Sequence, residues 1–363
     1  MRNKLVLALL MMALVTSSAF TLDVKGHAPK FQEDRPETVY INQMLADAFN
    51  DALNGLKEDL KDINPKPEEL IKSWGDAGVF ASHGATQRAY GGYKHFAVTV
   101  GPMVGLRLPG SPFTIMDEMD GMLDKLSDEQ DMRLGFNPQI FNINAGVNTS
   151  KFFMKNLYLG LHLGFMKLDN LMDGFSFNTF SIGATANYQL VPPISLAKVF
   201  LWRGVNVGSG LIYQGTKISA SLKLDPINES ISSPVGDGNL KIDPALTLDF
   251  NIKTVVIPIE ATTAVRLLWF LNIPLGVGLD LGFGKSDLQI GMDAKITPEL
   301  NGDYKVKEGD LSVNAGGNMS PTVFNLKLMT GVGFNFGPVI LDIPVTFYLN
   351  NGYSIGVSLG FVW

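Results

Sequence analysis

From about Tyr93 onward the chain alternates apolar and non-apolar residues with a period of two, the spacing that sends successive side chains to opposite faces of a strand. Leu157, Leu159, Leu161, Leu163 and Phe165 alternate with Tyr158, Gly160, His162 and Gly164, and Leu275 to Phe283 alternate with Gly276, Gly278, Asp280 and Gly282. Phe324 to Phe336 repeats the pattern, and the chain ends on Ile355, Val357, Leu359, Phe361 and Trp363. A soluble sandwich also alternates, but it points large apolar residues inward and charge outward. Here the non-apolar face is small, rich in glycine and sparsely charged. That inversion predicts an all-β, transmembrane, antiparallel up-and-down barrel: lipid meets the apolar face, the lumen holds the small polar one, and closure leaves no unpaired edge in hydrocarbon. A periplasmic sandwich is the competing architecture.

Connection lengths give a second test, because outer-membrane barrels pair short periplasmic turns with long outer loops and bring both termini to the periplasm. If the strand at Phe96 runs outward, residues 109–137, 169–174, 226–240, 298–319 and the turn Asn350-Asn351-Gly352 lie outside. The connections at 149–154, 191–199, 269–272 and Gly337-Pro338 lie inside, and Trp202, Trp269 and Trp363 gather at the inner interface as an aromatic girdle. This topology has ten strands. Apolar parity switches near Gln214 to Lys217, near Lys253-Thr254 and near Gly284 to Asp287, which marks bulges, outer-interface crossings or hairpins. With another strand near Tyr304 to Val313, hairpins there raise the number toward 14, so the expectation is 10 to 14, even-numbered.

Three regions follow: 1–19, 20–92 and 93–363. Arg2 and Lys4, the apolar run Leu5 to Val15 and Ser17-Ser18-Ala19 have the form of a secretory signal for the Sec pathway. In 20–92, Ile41, Leu45, Phe49, Leu53, Leu56 and Leu60 trace one face of a helix. Asn64-Pro65-Lys66-Pro67 breaks it, Glu68 to Trp74 suits a second short helix, and Gly78 to Gly92 is a small-residue stretch holding His83, Gln87 and Arg88. The segment is either a plug filling the lumen, with those three residues as candidates, or a periplasmic extension under the barrel. A non-strand N-terminal segment, a barrel and a terminal Trp363 together resemble the FadL-type long-chain fatty-acid transporters. The resemblance implies a hatch, an apolar ligand gathered by outer loops and passive delivery; it carries over no functional residues.

Composition narrows the chemistry. The chain has no cysteine, which removes thiol catalysis, thiolate metal sites and disulfides. Net charge is −6 with no basic excess, so nucleic acid is not an expected partner. The four histidines, His27, His83, His95 and His162, have no metal-ligand spacing, and no nucleophile elbow or phosphate-binding loop is present. His162 is the one histidine placed in a strand facing the lumen, where it reads as a pore residue before a general base. The loop residues Asp117, Glu118, Asp120, Asp124, Asp128, Glu129 and Asp131 do not match a calcium loop. No enzyme activity, cofactor or resident metal is therefore expected.

Parity assigns Arg107, Asn142, Asn144, His162, Asn187, Asn206, Asp249, Glu260, Arg266, Asp280, Lys327, Asn335 and Asp342 to the lumen, with Lys253 as a further candidate. Their charges nearly balance, which suits a neutral or apolar solute, or internal ion pairs, better than an ion-selective ring. The functional expectation is an outer-membrane channel or transporter for passive uptake of small hydrophobic or amphipathic molecules. The alternative is a surface adhesin or interaction protein that uses its long outer loops, with the barrel as anchor. Expected partners are outer-membrane lipid, lipopolysaccharide and an apolar small molecule.

Overall fold

The computed structural model describes residues 20–32, 36–62, 67–82, 93–109, 134–169, 174–197, 199–233, 236–300 and 305–363. The expected leader at 1–19, the acidic stretch of the first outer loop and the plug candidates His83, Gln87 and Arg88 lie outside these residues. In chain order the elements are β1 (Phe20–His27), β2 (Lys30–Phe31), α1 (Pro36–Asp62), α2 (Pro67–Phe80), β3 (Phe96–Arg107), β4 (Gly135–Asn148), β5 (Leu157–Asp169), β6 (Phe175–Val191), β7 (Ile194–Ala197), β8 (Phe200–Lys223), β9 (Ile227–Ser233), β10 (Gly236–Leu267), β11 (Leu271–Leu300), β12 (Val306–Lys307), β13 (Gly309–Met319), β14 (Phe324–Phe336), β15 (Val339–Tyr348), β16 (Gly352–Gly356) and β17 (Ser358–Val362).

The wall is a closed antiparallel ring: β3, β4, β5, β6, β8, β10, β11, β14, β15, and then β16 with β17 as the tenth strand, which pairs back onto β3. The tenth strand is interrupted at Val357, whose N–H donates to Pro102 O at 3.0 Å. Ten is the number the connections give, and the parity switches are not hairpins, because β8, β10 and β11 run through them unbroken over 24, 32 and 30 residues. The extra strand foreseen near Tyr304 to Val313 exists in part as β13, but it lies off the ring, paired to the distal half of β11.

The switches mark where the medium changes. On β11 the outward residues run Leu271, Ile273, Leu275, Val277, Leu279, Leu281 and Phe283, and then Lys285, Asp287, Gln289, Gly291, Asp293 and Lys295. Inward residues of the same strand change the opposite way, from Asn272, Gly276, Gly278 and Asp280 to Leu288, Ile290, Met292, Ala294 and Ile296. The pleat itself never slips. In register, Phe283 faces Val255, Val255 faces Tyr213, and Lys285 faces Lys253, so neighbouring strands switch at one level. Leu271 to Phe283 spans roughly 40 Å of strand, about 30 Å of height after tilt, which matches a hydrocarbon band of about 25 Å. Below the switch the barrel is in lipid; above it, the same sheet stands in water around a dry interior.

That interior is a core of Val24, Ile71, Phe177, Ile218, Phe250, Ile252, Leu288, Ile290, Met292 and Val313, all at most 9% exposed. Two observations correct the sequence reading. Residues 20–27 form a strand, β1, which pairs with β13 from Phe20 against Gly317 to His27 against Asp310. Because β13 in turn pairs with β11 at Ser286 to Ile296, residues 20–27 lie at the end of the barrel opposite Trp363 and not beside it. Thr21, Asp23, Lys25 and His27 alternating with Leu22, Val24 and Gly26 are the period-two pattern that gives β1. Helix α1 packs Ile41 and Leu45 on Phe31, and Asn42 brackets the Phe31 backbone with bonds of 2.7 and 2.9 Å.

The chain lacks cysteine, so single cysteines placed at Asp249, Gln289 or Asn314 should react with a membrane-impermeant maleimide on intact cells. Cysteines at Leu275 or Val277 should react only with a lipid-soluble reagent. Equal labelling of both sets would contradict the boundary.

Candidate functional site

Helix α2 occupies the ring from the water-exposed end downward. Its first turn carries Glu68 and Glu69, which suit the positive end of a helix dipole, and its later turns are small or apolar: Gly75, Ala77, Gly78, Val79 and Phe80. Ile71, Asp76, Ala77, Val79, Phe80 and Ala81 are all 0% exposed. Three wall glycines make the seat. A Cβ at Gly135 would fall 2.0 Å from Ser73 O, one at Gly105 2.4 Å from Ala77 O, and one at Gly352 2.1 Å from the Phe80 ring. The glycine-rich inner face is thus a smooth bed for a helix backbone.

Polar contacts fix the helix in that bed. Asp76 accepts from the Thr322 N–H at 2.6 Å and the Thr322 hydroxyl at 3.0 Å, with the Arg107 guanidinium 3.6 Å away. Gly75, its neighbour, sits against Ser286, just past the apolar band. Burial raises the Asp76 carboxyl above its ordinary value, and Arg107, the two Thr322 bonds and Lys72 offset this in part. Lower down, Phe80 stacks on Tyr348 with centroids 4.0 Å apart. Tyr348 donates to Asp280 at 2.8 Å, and Asp280 and Glu260 both hold the Lys327 ammonium, Glu260 at 2.6 Å. Lys327 is 0% exposed in its side chain, so this triad is a buried charge cluster in which one ammonium is shared by two carboxylates.

On the facing wall, Gln139 donates to Ala81 O at 2.8 Å, tying the end of the helix to a polar network. Asn142 donates to Gln139 at 3.0 Å, Asn144 donates to Asn142 at 2.7 Å, and His162 lies between Asn144 Oδ1 at 3.0 Å and Ser181 Oγ at 2.8 Å. Because Asn144 Oδ1 only accepts, His162 Nδ1 carries a proton, while the Ser181 hydroxyl lies within reach of both Nε2 and, at 3.3 Å, Gln139 Oε1. A serine, a histidine and an orienting amide in a row is the form of an activated nucleophile. Ser181 is 0% and His162 2% exposed, however, beneath the end of the helix, and the arrangement works as a wall-to-plug polar tie.

Of the residues assigned to the lumen, all but Asp249 face inward. Asp249 is exposed on the outer surface, where Ser219 donates to it at 2.6 Å, and Lys253 faces out as well. Both lie at or beyond the boundary, where polar side chains point to water, so the rule that sends polar residues inward reverses. Sequence reasoning missed Asp76, Thr322, Gln139 and Ser181. Asp76 has a signal, a lone acid inside the small-residue face of α2. A concavity of about 460 Å³ lies on the outer face of the exposed sheet, between Thr21, Asp23, Thr247, Asp249, Asp287 and Asn314, floored by Gly291 and Gly316. No group of three or more potential metal ligands occurs among the described residues.

Replacing Lys327 with Met should strand two buried carboxylates and cost about 3–5 kcal/mol, read as a lower thermal transition of the folded barrel. The raised Asp76 value means the folded state holds this proton more tightly than the unfolded chain. The group therefore favours folding more as pH falls from its raised value toward 3.8, and Asp76→Asn should flatten that part of the stability profile. Stability that falls as pH is lowered through this window in the wild type and not in the variant would contradict the sign.

The outer-membrane architecture has structural relatives of low similarity. The translocator domain of the autotransporter NalP from Neisseria meningitidis is 12% identical, with 91% of this chain and 100% of that one covered at a TM-score of 0.27. LpxR from Salmonella typhimurium is 9% identical, with 74% and 100% covered at 0.25, and the Ralstonia pickettii toluene transporter TbuX is 9% identical, with 82% and 92% covered at 0.22. No curated protein sequence matches the chain. A family pattern does, over residues 31–363, from the first turns beside β2 through the plug and the whole ring to Trp363, and on that match the chain belongs to the Lsa36-like family.

Proposed function

We propose that this protein acts at the cell surface, with the lipid-embedded ring as anchor and the water-exposed half of the barrel as the face that meets a partner. The observation that carries this reading is the seated helix: residues of α2 at 0% exposure fill the ring where a solute would pass. The long strands meanwhile lift a folded platform roughly 40 Å past the boundary. The groove between Asp23, Asp249 and Asp287 has three carboxylates, several amides and a glycine floor, which suits a polar or cationic partner segment. No covalent chemistry is part of this reading, and delivery through the Sec pathway follows from the leader expected over 1–19.

A second reading is favoured by one specific observation. The helix is held by hydrogen bonds, an ion pair and packing and by no disulfide, so its release would turn the ring into a passive path for small hydrophobic or amphipathic molecules, as the FadL-type resemblance implies. Planar-bilayer conductance separates the two. The anchor reading expects a silent wild type, with current appearing only when the seat is broken by Gly135→Ala or by Asp76→Ala. Steady conductance by the wild type would favour the channel. For the chemistry, Ser181→Ala and His162→Ala should lower stability and leave acyl-ester hydrolysis at background; hydrolysis by the wild type that these changes abolish would overturn the non-enzymatic reading.

A further inference from the structure

Past the apolar band, the outer face of the barrel carries its charges in a fixed order. Outward residues run Phe165, Lys167, Asp169 on β5, Tyr213, Gly215, Lys217 on β8, Val255, Lys253, Asn251, Asp249 on β10, and Phe283, Lys285, Asp287 on β11. On each of these strands the first charge after the last apolar side chain is a lysine, and any carboxylate comes further from the lipid. β6, between β5 and β8, is neutral at this level, with Asn178 following Phe180.

Register places the four lysines within one rung of each other. Lys253 is opposite Lys285, Asn251 is opposite Lys217, and Asn178 is opposite both Lys217 and Lys167. Lys167 and Lys285 each reach the next carboxylate on their own strand, at 2.8 and 2.6 Å. Lys217 and Lys253 are exposed and make no ion pair among the described residues. Two ammonium groups directly opposed across a ladder repel, and Lys253 has no ion pair among the described residues. The aromatic residues Phe165, Phe180, Tyr213 and Phe283 lie just beneath, at the depth where rings settle among headgroups.

We propose that Lys167, Lys217, Lys253 and Lys285 form a one-sided belt that docks the phosphate groups of lipid headgroups in the leaflet at this end of the barrel. Phosphate fits each part of the pattern. It lies at the depth of the belt, its charge bridges Lys253 and Lys285, and the carboxylates that would repel it are set back one or more rungs. The belt rests on the transmembrane placement of the ring and is independent of what the distal platform binds.

The test uses the full chain in maltoside micelles, whose sugar headgroups carry no phosphate, and reads the midpoint of its heat-induced gel-mobility transition. Doping with phosphatidic acid should raise the midpoint, and the rise should shrink as salt increases. Diacylglycerol, the same acyl chains without phosphate, should not raise it, and neither should free inorganic phosphate. The combined Lys217→Gln, Lys253→Gln, Lys285→Gln variant should lose the rise, its Arg counterpart should keep it, and a Lys241→Gln, Lys295→Gln variant, further from the lipid, should keep it too. If the glutamine variant folds poorly, the same comparison with Lys253→Gln alone should show a reduced rise. An undiminished rise in the glutamine variants, or an equal rise with diacylglycerol or inorganic phosphate, would overturn the proposal.

Discussion

A β-strand keeps each side chain on one face along its whole length, while the medium beside it changes where the strand leaves the bilayer. Most of this molecule follows from that mismatch. Strands β8, β10 and β11 solve it by exchanging the chemistry of their two faces at one level, so that the sheet passes from a lipid-facing wall to a water-facing shell without a bulge or a break in the ladder between β10 and β11. An apolar lining above the boundary then needs something to cover it. Helices α1 and α2 supply that cover through Leu53, Leu70, Ile71 and Trp74.

The helix in the ring depends on the same economy of space. A ten-stranded ring is narrow, and a helix about 10 Å across fits only where the wall recedes to backbone. Gly105, Gly135 and Gly352 provide that recession, and Asp76 provides direction, because its bonds to Thr322 tie the helix to the connection between β13 and β14. The charge cluster around Lys327 and the network around His162 line opposite walls below. Pairing with one another, by charge in the first and by hydrogen bonds in the second, costs these groups less than facing the lumen singly.

The period-two pattern made the barrel and the inward direction of residues such as Asn142, Glu260 and Lys327 readable, and bounded the strands at 10 to 14, because a pleat is a local property. The parity switches were readable as positions and not as meaning, since a bulge, a hairpin and a change of solvent leave the same trace in one chain. The cross-strand match of Lys253 to Lys285 decides among them, and register is not a local property. The assignment of Asp249 to the lumen failed for that reason. The seat of α2 was hidden differently: it is written in glycines, whose role is to be absent from a contact, and in Thr322, which lies 246 residues from Asp76.

The pairing of β1 with β13 has a bearing on how the molecule is made. Phe20 meets Gly317 across nearly the whole chain, so this edge forms only after β11 has laid down the surface that positions β13. Helix α2 is synthesised before any ring strand, yet ends enclosed by all of them. The ring must therefore close around a helix already at hand, or the helix must thread a finished ring. Both routes join segments distant in sequence, the kind of topology whose loop-closure entropy slows folding, and in the first of them the seam between β16–β17 and β3 is what encloses the helix.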